Sequence, residues 1–483
     1  MRYFCLMFFT MLCLHVCAQG NKIKVACIGA SITYGAHIEN REQNCYPAQL
    51  QKMLGGAYAV TNYGVSGTTL LHKGDRPYWA TKQYQQALTD NPDIVIIDLG
   101  GNDAKLINRS HLAYFENDYR DLIKTFAALP SHPRIVLLLA MASFVKDSTN
   151  IYDPVIVTRI NPLIQRVAYN EHAEVLDMHS LFIDQEALMP DKIHPNKDGA
   201  TIMAKTVCSN LLQKRDMDYD ILSKIKFPVK LSSFYGYTCA DFTFNNRACK
   251  IAQPKLAAKG HPWVWRALFW GHQPQADIAL LQQGFHIVYC DVAELMGNDT
   301  AINAWNDYYK LLHKAGLAKK AVLEGMSRGG VYVFNWAAVN KNKVAAVYVD
   351  NPLLNMQAWS EPYMADTVKK AGLYKLFLDF KTSYGLTTND QVRAFNGSPT
   401  DKVKQIVKAK YPILILCADE DEAVPPQTNT LLFEQKVKAL NGDITVIHKP
   451  GFKHHPHSLP NPTPIVDFIL KATGYQVDIG LSN

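Results

Sequence analysis

The sequence predicts an α/β protein of two domains. Short apolar runs alternate with amphipathic segments along most of the 483 residues, and this alternation is typical of parallel β-sheets covered by helices. A charged stretch without a clear period, residues 213–230, separates two such series and is predicted to be a linker. The length also suits two domains of ordinary size.

The composition excludes several classes of protein. Hydrophobic residues make up 48% and charged residues 19%, which is incompatible with a mainly disordered chain. The net charge of +7 comes from Lys and Arg spread along the sequence, so a nucleic-acid partner is not expected. After the N-terminus, the most apolar runs, such as Ile94–Leu99 and Ile135–Met141, are too short for a membrane span and are predicted to be buried strands.

The N-terminus is predicted to be a secretory signal peptide, residues 1–18. An apolar run from Phe4 to Leu14 is followed by Val16-Cys17-Ala18, which fits a cleavage site before Gln19. We therefore expect an exported protein, either periplasmic or secreted. Lipid anchoring through Cys17 is the second interpretation, because Val16 is bulky for the position before a lipidated cysteine.

Seven cysteines follow the predicted signal peptide. An odd number cannot pair completely. Cys239 and Cys249 flank a strand–turn–strand segment, 240–248, and form the best candidate pair.

The predicted first domain, residues 19–212, carries four polar motifs that follow its predicted strands or lie near its end. Its predicted strands are Lys24–Ile28, Val60–Tyr63, Ile94–Leu99, Ile135–Met141 and Glu174–Asp177. The motifs are Gly-Ala-Ser31-Ile-Thr, Asn-Tyr-Gly64-Val-Ser-Gly, Gly-Gly-Asn102-Asp and Asp191-Lys-Ile-His194-Pro. Together they supply a nucleophile, a base, an acid to orient the base, and donors for an oxyanion.

These four motifs, in this order, resemble the SGNH (GDSL-like) hydrolase family over about residues 22–212. The resemblance implies a flavodoxin-like sheet. It also implies that Ser31 is the nucleophile, His194 the base with Asp191 as its partner, and Gly64 and Asn102 the oxyanion donors. Ala30 stands where the family usually has Asp, a residue that is not the acid of the triad.

The predicted second domain, residues 231–474, contains a nucleophile elbow. Its predicted strands are Trp263–Leu268, Phe285–Cys290, Ala321–Leu323, Val344–Val349, Ile413–Cys417 and Ile444–Ile447. Strand 321–323 leads into Gly-Met-Ser327-Arg-Gly, and an apolar helical run, Val331–Val339, follows. This is the context that the G-x-S-x-G motif requires, and it makes the backbone N–H of Arg328 an oxyanion donor.

The partners of Ser327 are expected after the last two strands, in the order Ser, Asp, His. Asp421 is favoured as the acid and Asp419 is the alternative. His454 is favoured as the base and His455 is the alternative. Over residues 231–474 the chain thus resembles the α/β-hydrolase superfamily. A tail, residues 475–483, follows.

A histidine cluster near the C-terminus leaves a metal site open as a minor alternative. It comprises His448, His454, His455 and His457. No carboxylate or cysteine stands at ligand spacing beside them, so no metal or cofactor is expected.

The two resemblances imply an exported serine esterase that removes O-acetyl groups from carbohydrates, with an acyl-enzyme at each serine. One alternative is a single active site in the first domain, with the second domain binding glycan without catalysis. Another is a lipase or a peptidase. The sequence leaves open the sugar, the acyl group and the oligomeric state.

Overall fold

Five parallel strands form the first sheet of the computed structural model, which describes residues 21–364 and 371–479. They are β1 (Ile23–Gly29), β2 (Tyr58–Gly64), β3 (Ile94–Asp98), β4 (Arg134–Leu138) and β5 (Glu174–Leu176). Their order is β2-β1-β3-β4-β5, which is the flavodoxin-like order. β1 is buried over five of its seven residues, as expected for a strand covered on both faces.

Nine helices surround this sheet among the described residues. They are α1 (Ser31–Tyr34), α2 (Arg41–Asn44), α3 (Tyr46–Leu54), α4 (Lys82–Thr89), α5 (Phe115–Ala127), α6 (Asp153–Val155), α7 (Asn161–Asn170), α8 (Met178–Phe182) and α9 (Lys197–Leu212). The apolar residues of segments 118–129 and 200–212 recur at helical spacing, and these segments lie largely within α5 and α9. One face of α5 is buried against the core. It carries Tyr119, Leu122 and Phe126, which have the spacing of the apolar face of an amphipathic helix.

A mixed sheet of nine strands forms the second domain. The strands of this half of the chain are β6 (Arg215–Asp216), β7 (Lys230–Phe234), β8 (Tyr237–Phe244), β9 (Arg247–Gln253), β10 (Ala257–Ala258), β11 (Trp263–Arg266), β12 (His286–Cys290), β13 (Ala321–Met326), β14 (Val344–Asp350), β15 (Ile413–Ala418) and β16 (Ile444–Lys449). The order of the nine is β16-β15-β14-β13-β11-β12-β9-β8-β7, and β6 and β10 pair separately. The strands from β11 to β16 are parallel, while β7, β8 and β9 form an antiparallel edge. The predicted α/β class is confirmed for both domains.

The helices of the second domain are α10 (Gln275–Gln282), α11 (Asp299–Lys314), α12 (Gly329–Val339), α13 (Met356–Ser360), α14 (Ala371–Ser383), α15 (Asn389–Arg393), α16 (Val403–Lys408), α17 (Thr430–Ala439) and α18 (Thr463–Thr473). Nine of the eleven residues of α12 are buried, so this helix lies in the core. Among the described residues, no helix combines the length and the apolar character that a bilayer crossing requires.

The charged stretch 213–230, predicted to be a linker, packs onto the second domain. Ile221 is fully buried and Ile225 is 7% exposed in the apolar core of that domain. The Arg215 guanidinium donates to the carbonyl oxygens of Leu256 and Gln282. The stretch is polar in composition, but its few apolar side chains fix it in place.

One of the apolar clusters of the described residues spans both domains. Residues of α7 and β5, such as Val167 and Val175, cluster with residues of β8 and α10, such as Tyr237 and Leu281. The Tyr237 hydroxyl donates to the Val175 carbonyl oxygen at 2.9 Å. The boundary between the halves is therefore a packed interface.

The predicted cysteine pair is wrong. The seven cysteines of the described residues are buried free thiols. The strand register places Cys239 opposite Ala252, and it places Cys249 between Phe242 and Cys290. Alternation along a strand, rather than nearness in sequence, decides which thiols face each other. The predicted signal peptide, 1–18, lies outside the described residues.

Candidate active sites

Ser31 lies at the carboxyl end of β1, as the first residue of α1. β1 is an interior strand, between β2 and β3, and the chain connections on its two sides run in opposite directions. In open α/β sheets ligands bind in the crevice at this point. The Ser31 residue is only 9% exposed, so its hydroxyl is sheltered from bulk water.

The structure brings Ser31, His194 and Asp191 into one hydrogen-bonded chain. His194 Nε2 lies 2.7 Å from Ser31 Oγ, and His194 Nδ1 lies 2.6 Å from Asp191 Oδ2. One ring nitrogen can thus accept the serine proton while the other donates to the carboxylate. This is the arrangement in which a serine becomes a nucleophile.

Two backbone N–H groups and the His194 ring hold the Asp191 carboxylate in place. Its Oδ1 accepts from the N–H groups of Ile193 and His194 at 3.1 and 2.7 Å. Desolvation raises the pKa of Asp191, but these bonds and the His194 ring outweigh it and hold the pKa below the ordinary value. The group therefore stays ionised and orients the imidazole.

The structure corrects one predicted oxyanion donor. The Gly64 N–H donates to Asn62 Oδ1 at 2.9 Å, so it is already occupied. Gly64 is needed for packing instead, because a Cβ there would lie 2.3 Å from the backbone nitrogen of Tyr34. In the same loop, the Gly67 N–H has no acceptor among the described residues.

The Asn102 side chain remains available as an oxyanion donor. It is 4% exposed and lines the same cavity as Ser31. One of its two amide hydrogens goes to the Thr68 carbonyl oxygen at 3.0 Å, which orients the group and leaves the second hydrogen free. An amide held this way is preorganised for a developing negative charge.

Sequence reasoning missed two residues beside this site. The His37 ring lies 5.2 Å from the His194 ring, and its Nε2 lies 3.8 Å from Asp191 Oδ2. Asp98 ends β3 and lines the cavity, where burial raises its pKa to about 6 despite a hydrogen bond from Thr33. Neither residue stands in one of the four motifs. Only the position of Asp98 at the end of a predicted strand could have indicated it.

Ser327 occupies the predicted elbow between β13 and α12. Its φ is 50°, a left-handed conformation that is strained for a serine. Gly325 permits the turn, because a Cβ there would lie 2.7 Å from the carbonyl carbon of Gly329. The elbow thus presents Ser327 above the sheet.

The favoured partners of Ser327 are the ones that the structure brings to it. His454 Nε2 lies 3.0 Å from Ser327 Oγ, and His454 Nδ1 lies 2.7 Å from Asp421 Oδ2. The Ala423 and Val424 N–H groups donate to the other oxygen of Asp421. The alternative acid, Asp419, lies apart and binds His448 at 2.6 Å.

The alternative base, His455, lines the second cavity without a bond to Asp421 or Ser327 in the described residues. The nitrogens of His454, His455 and His457 come within 4.8 Å of one another. However, both ring nitrogens of His454 are taken by Asp421 and Ser327. The chemistry of the cluster therefore fits proton transfer better than metal binding.

Two residues at the end of β14, Asp350 and Asn351, make hydrogen bonds to the loop that carries His454. Asn351 donates from Nδ2 to the His454 carbonyl oxygen at 2.9 Å and accepts from the Ala418 N–H at 2.7 Å. It thereby ties the base loop to the end of β15. Next to it, the Asp350 carboxylate accepts from Lys449 Nζ at 2.9 Å and from the Ser458 N–H. These two residues position the base without contacting the nucleophile through their side chains.

Replacing Asn351 by glycine is expected to slow covalent labelling of Ser327 by a fluorophosphonate about tenfold or more. Glycine keeps the φ of 43° without strain, so the change isolates the lost side chain. Two buried hydrogen bonds disappear, and the free energy of unfolding should fall by about 1–3 kcal/mol. Labelling of Ser31 in the same molecule is the internal control. Asn441→Gly, at an exposed position with φ of 56°, should leave both rates unchanged.

The second site opens into a large cavity of about 420 Å³, lined in part by Ser327, Arg328 and His454. The Arg328 N–H stands at the N-terminal end of α12 and has no acceptor among the described residues, as an oxyanion donor requires. Its guanidinium lies 5.6 Å from the ring centre of Phe269. Phe269 and Trp270 line the cavity, whereas Trp263 and Trp265 are core residues.

Comparison with known proteins finds a family match within the first half of the chain. Residues 27–202 match the model of the GDSL-like Lipase/Acylhydrolase family, so the predicted resemblance is confirmed. An acetylxylan esterase of Xylanibacter ruminicola is 40% identical over 207 residues, which cover 39% of this chain and 43% of that protein. The matched region thus spans less than half the length of this relative.

Solved structures also resemble part of the chain. A puromycin-hydrolysing peptidase of Mycobacterium tuberculosis is 12% identical, with a TM-score of 0.37, and the match covers 53% of this chain and 41% of that one. An acylaminoacyl peptidase of Pyrococcus horikoshii is 15% identical, with a TM-score of 0.38, and covers 53% and 44%. Both TM-scores are low, so the fold of the second domain rests on its own strand order and elbow.

Proposed function

We propose that this protein is a serine esterase that removes O-acetyl groups from carbohydrates and that it uses both serines. The observation that carries the proposal is the Ser31–His194–Asp191 chain in a domain that matches GDSL-like acylhydrolases. The acetylxylan esterase relative supports an acetylated polysaccharide as substrate. The second hydrogen-bonded chain, at Ser327, supports a second ester-cleaving centre.

The proposed reaction at Ser31 follows from the hydrogen bonds. His194 Nε2 takes the proton of Ser31 Oγ as the oxygen attacks the acetyl carbonyl. The Asn102 amide stabilises the oxyanion, and the protonated His194 then gives its proton to the departing sugar hydroxyl. Water, deprotonated by His194, cleaves the acetyl-enzyme and releases acetate.

The size of the first cavity supports acetate as its acyl group. The cavity measures about 30 Å³ and is lined by small or apolar groups such as Ala30, Ala140 and Ala142. This small volume favours a short acyl group such as acetyl.

The test is acetate release from acetylated xylan and other acetylated glycans. We would compare the wild-type chain, Ser31→Ala, Ser327→Ala and the double variant, after confirming by circular dichroism that each folds. The proposal requires that the double variant be inactive and that Ser31→Ala lose the acetyl-glycan activity. Activity that survives in the double variant would overturn it. If Ser31→Ala alone removes all ester hydrolysis and Ser327 takes no label, the second domain is a non-catalytic module.

We also propose that the protein is exported. The sequence of residues 1–18 supports this, and the expected mature N-terminus is Gln19. N-terminal sequencing of the protein from a host with an export pathway would check it. Retention of Met1 would contradict export by this route, and a modified N-terminal Cys17 would indicate a lipoprotein.

A further inference from the structure

The two cavities differ in volume by more than tenfold. The first measures about 30 Å³ and the second about 420 Å³. An apolar cavity of about 150 Å³ holds one benzene molecule, and small-molecule pockets measure about 300–1,000 Å³. The second cavity therefore has room for an aromatic ring and several further atoms.

The wall of the second cavity is apolar and aromatic. Its apolar residues include Phe269, Trp270, Leu353, Trp359, Leu373 and Leu376. Leu353 is fully buried and Trp359 is 5% exposed, so they form the floor rather than the rim. A wall of this kind stabilises a flat apolar group by burial and by ring contacts.

The polar groups of this cavity include the Arg328 guanidinium, the Ser327 hydroxyl and several imidazoles. Burial, and then the neighbouring His457, lower the pKa values of both His272 and His455. These imidazoles are therefore neutral at pH 7 and can hydrogen-bond a hydroxyl group without attracting an anion. The apolar wall therefore suits an apolar substrate group, and the two neutral imidazoles can hydrogen-bond a polar substituent on it.

We propose that the second site hydrolyses esters whose acyl group carries an aromatic ring, such as 3-arylpropenoic acids, and that the first site cannot accept them. The ring would lie between Trp359 and the α14 residues Leu373 and Leu376. This inference rests on the proposed function of Ser327 and adds the substrate class. The Ser31 site would then hydrolyse esters of small aliphatic acids, and the Ser327 site esters of large aromatic acids.

The proposed reaction balances without any cofactor. Ser327 Oγ forms a bond to the arylpropenoyl carbonyl carbon while its proton passes to His454 Nε2. The bond from that carbon to the alcohol oxygen breaks, and the alcohol leaves with the same proton. Water then attacks the acyl-enzyme, one of its protons returns through His454 to Ser327, and the arylpropenoic acid departs.

The test uses the full chain with the Ser31→Ala substitution, so that only Ser327 can react. Its substrates are methyl 3-(4-hydroxyphenyl)propenoate, methyl acetate and 2-phenylethyl acetate. We expect kcat/KM for the arylpropenoate to exceed that for methyl acetate by about a hundredfold. In the same background, Leu376→Trp would fill the cavity. It should lower kcat/KM for the arylpropenoate at least tenfold and that for methyl acetate less than twofold.

Leu378→Trp is the matched control. Leu378 lies on the same helix, is 44% exposed and does not line the cavity, so this change should alter neither rate. Equal turnover of methyl acetate and the arylpropenoate would overturn the inference and leave the two-site esterase intact. A preference for 2-phenylethyl acetate would also overturn it, because the cavity would then hold the alcohol. Absence of turnover together with an unlabelled Ser327 would overturn the proposed function of this site as well.

Discussion

Glutamine in place of His194 is expected to lower kcat for acetyl-ester hydrolysis about ten-thousandfold when Ser327 is already alanine. Glutamine fills a similar space but cannot take the proton of Ser31, which His194 Nε2 contacts at 2.7 Å. Losing a member of such a triad leaves only the catalysis supplied by the oxyanion donors and by binding. The measurement is acetate release under saturating substrate, compared with the Ser327→Ala parent.

His37→Gln is the matched control for this prediction. His37 is the other imidazole near Asp191, but its side chain is 73% exposed and its Nε2 lies 3.8 Å from the carboxylate. Contacts of this kind contribute little, so kcat should change less than threefold. If His37→Gln slows the reaction as much as His194→Gln, the assignment of the base is wrong.

Leucine in place of Arg266 is expected to lower the free energy of unfolding by about 3–5 kcal/mol. The guanidinium is buried between the carboxylates of Asp277 and Glu324, at 2.9 Å from the latter. Removing it leaves two acidic groups in the core without their cation, and a broken buried ion pair costs this much. Urea unfolding followed by circular dichroism would measure the loss. Arg393→Leu, which breaks exposed ion pairs with Glu361 and Asp390, should cost less than about 0.5 kcal/mol.

The same substitution has an expected pH dependence. Burial raises the pKa of Glu324 well above its ordinary value, Asp277 adds to this, and Arg266 opposes it. Without Arg266 the folded protein must keep a proton on the Glu324 carboxyl, which the unfolded chain releases above the ordinary pKa of a glutamate. Stability then falls as the pH rises, so the loss should be greater at pH 8 than at pH 5. An equal loss at both values would show that packing, rather than charge, sets the cost.

The sequence predicts the positions of both candidate serines because each follows an apolar strand in a short motif. Ser31 stands two residues after the end of β1, and Ser327 stands in a G-x-S-x-G elbow, where the tight turn allows few backbone conformations. Asp191 and His194 are three residues apart, so local geometry brings them together. Such features depend on neighbours in the chain and are open to reasoning from sequence.

Other parts of the sites depend on contacts between distant segments. Asp419 and Asp421 follow the same strand, and only the register of β15 with β16 decides that Asp419 meets His448. The occupied Gly64 N–H depends on the Asn62 rotamer. The cavity at Ser327 forms because α13 and α14 pack beside the nucleophile elbow. Neither helix carries a sequence motif that would have predicted this packing. Tertiary packing, which no local pattern encodes, settles these points.

The packed boundary around Val175 and Tyr237 also determines how the chain can be divided. A truncation after residue 212 would uncover apolar side chains of α7 and β5, and the excised second half would carry the complementary bare face. Each fragment would lose buried area and gain a surface prone to self-association. The two halves therefore form a single folding unit, and a substitution that destabilises one half should destabilise the other.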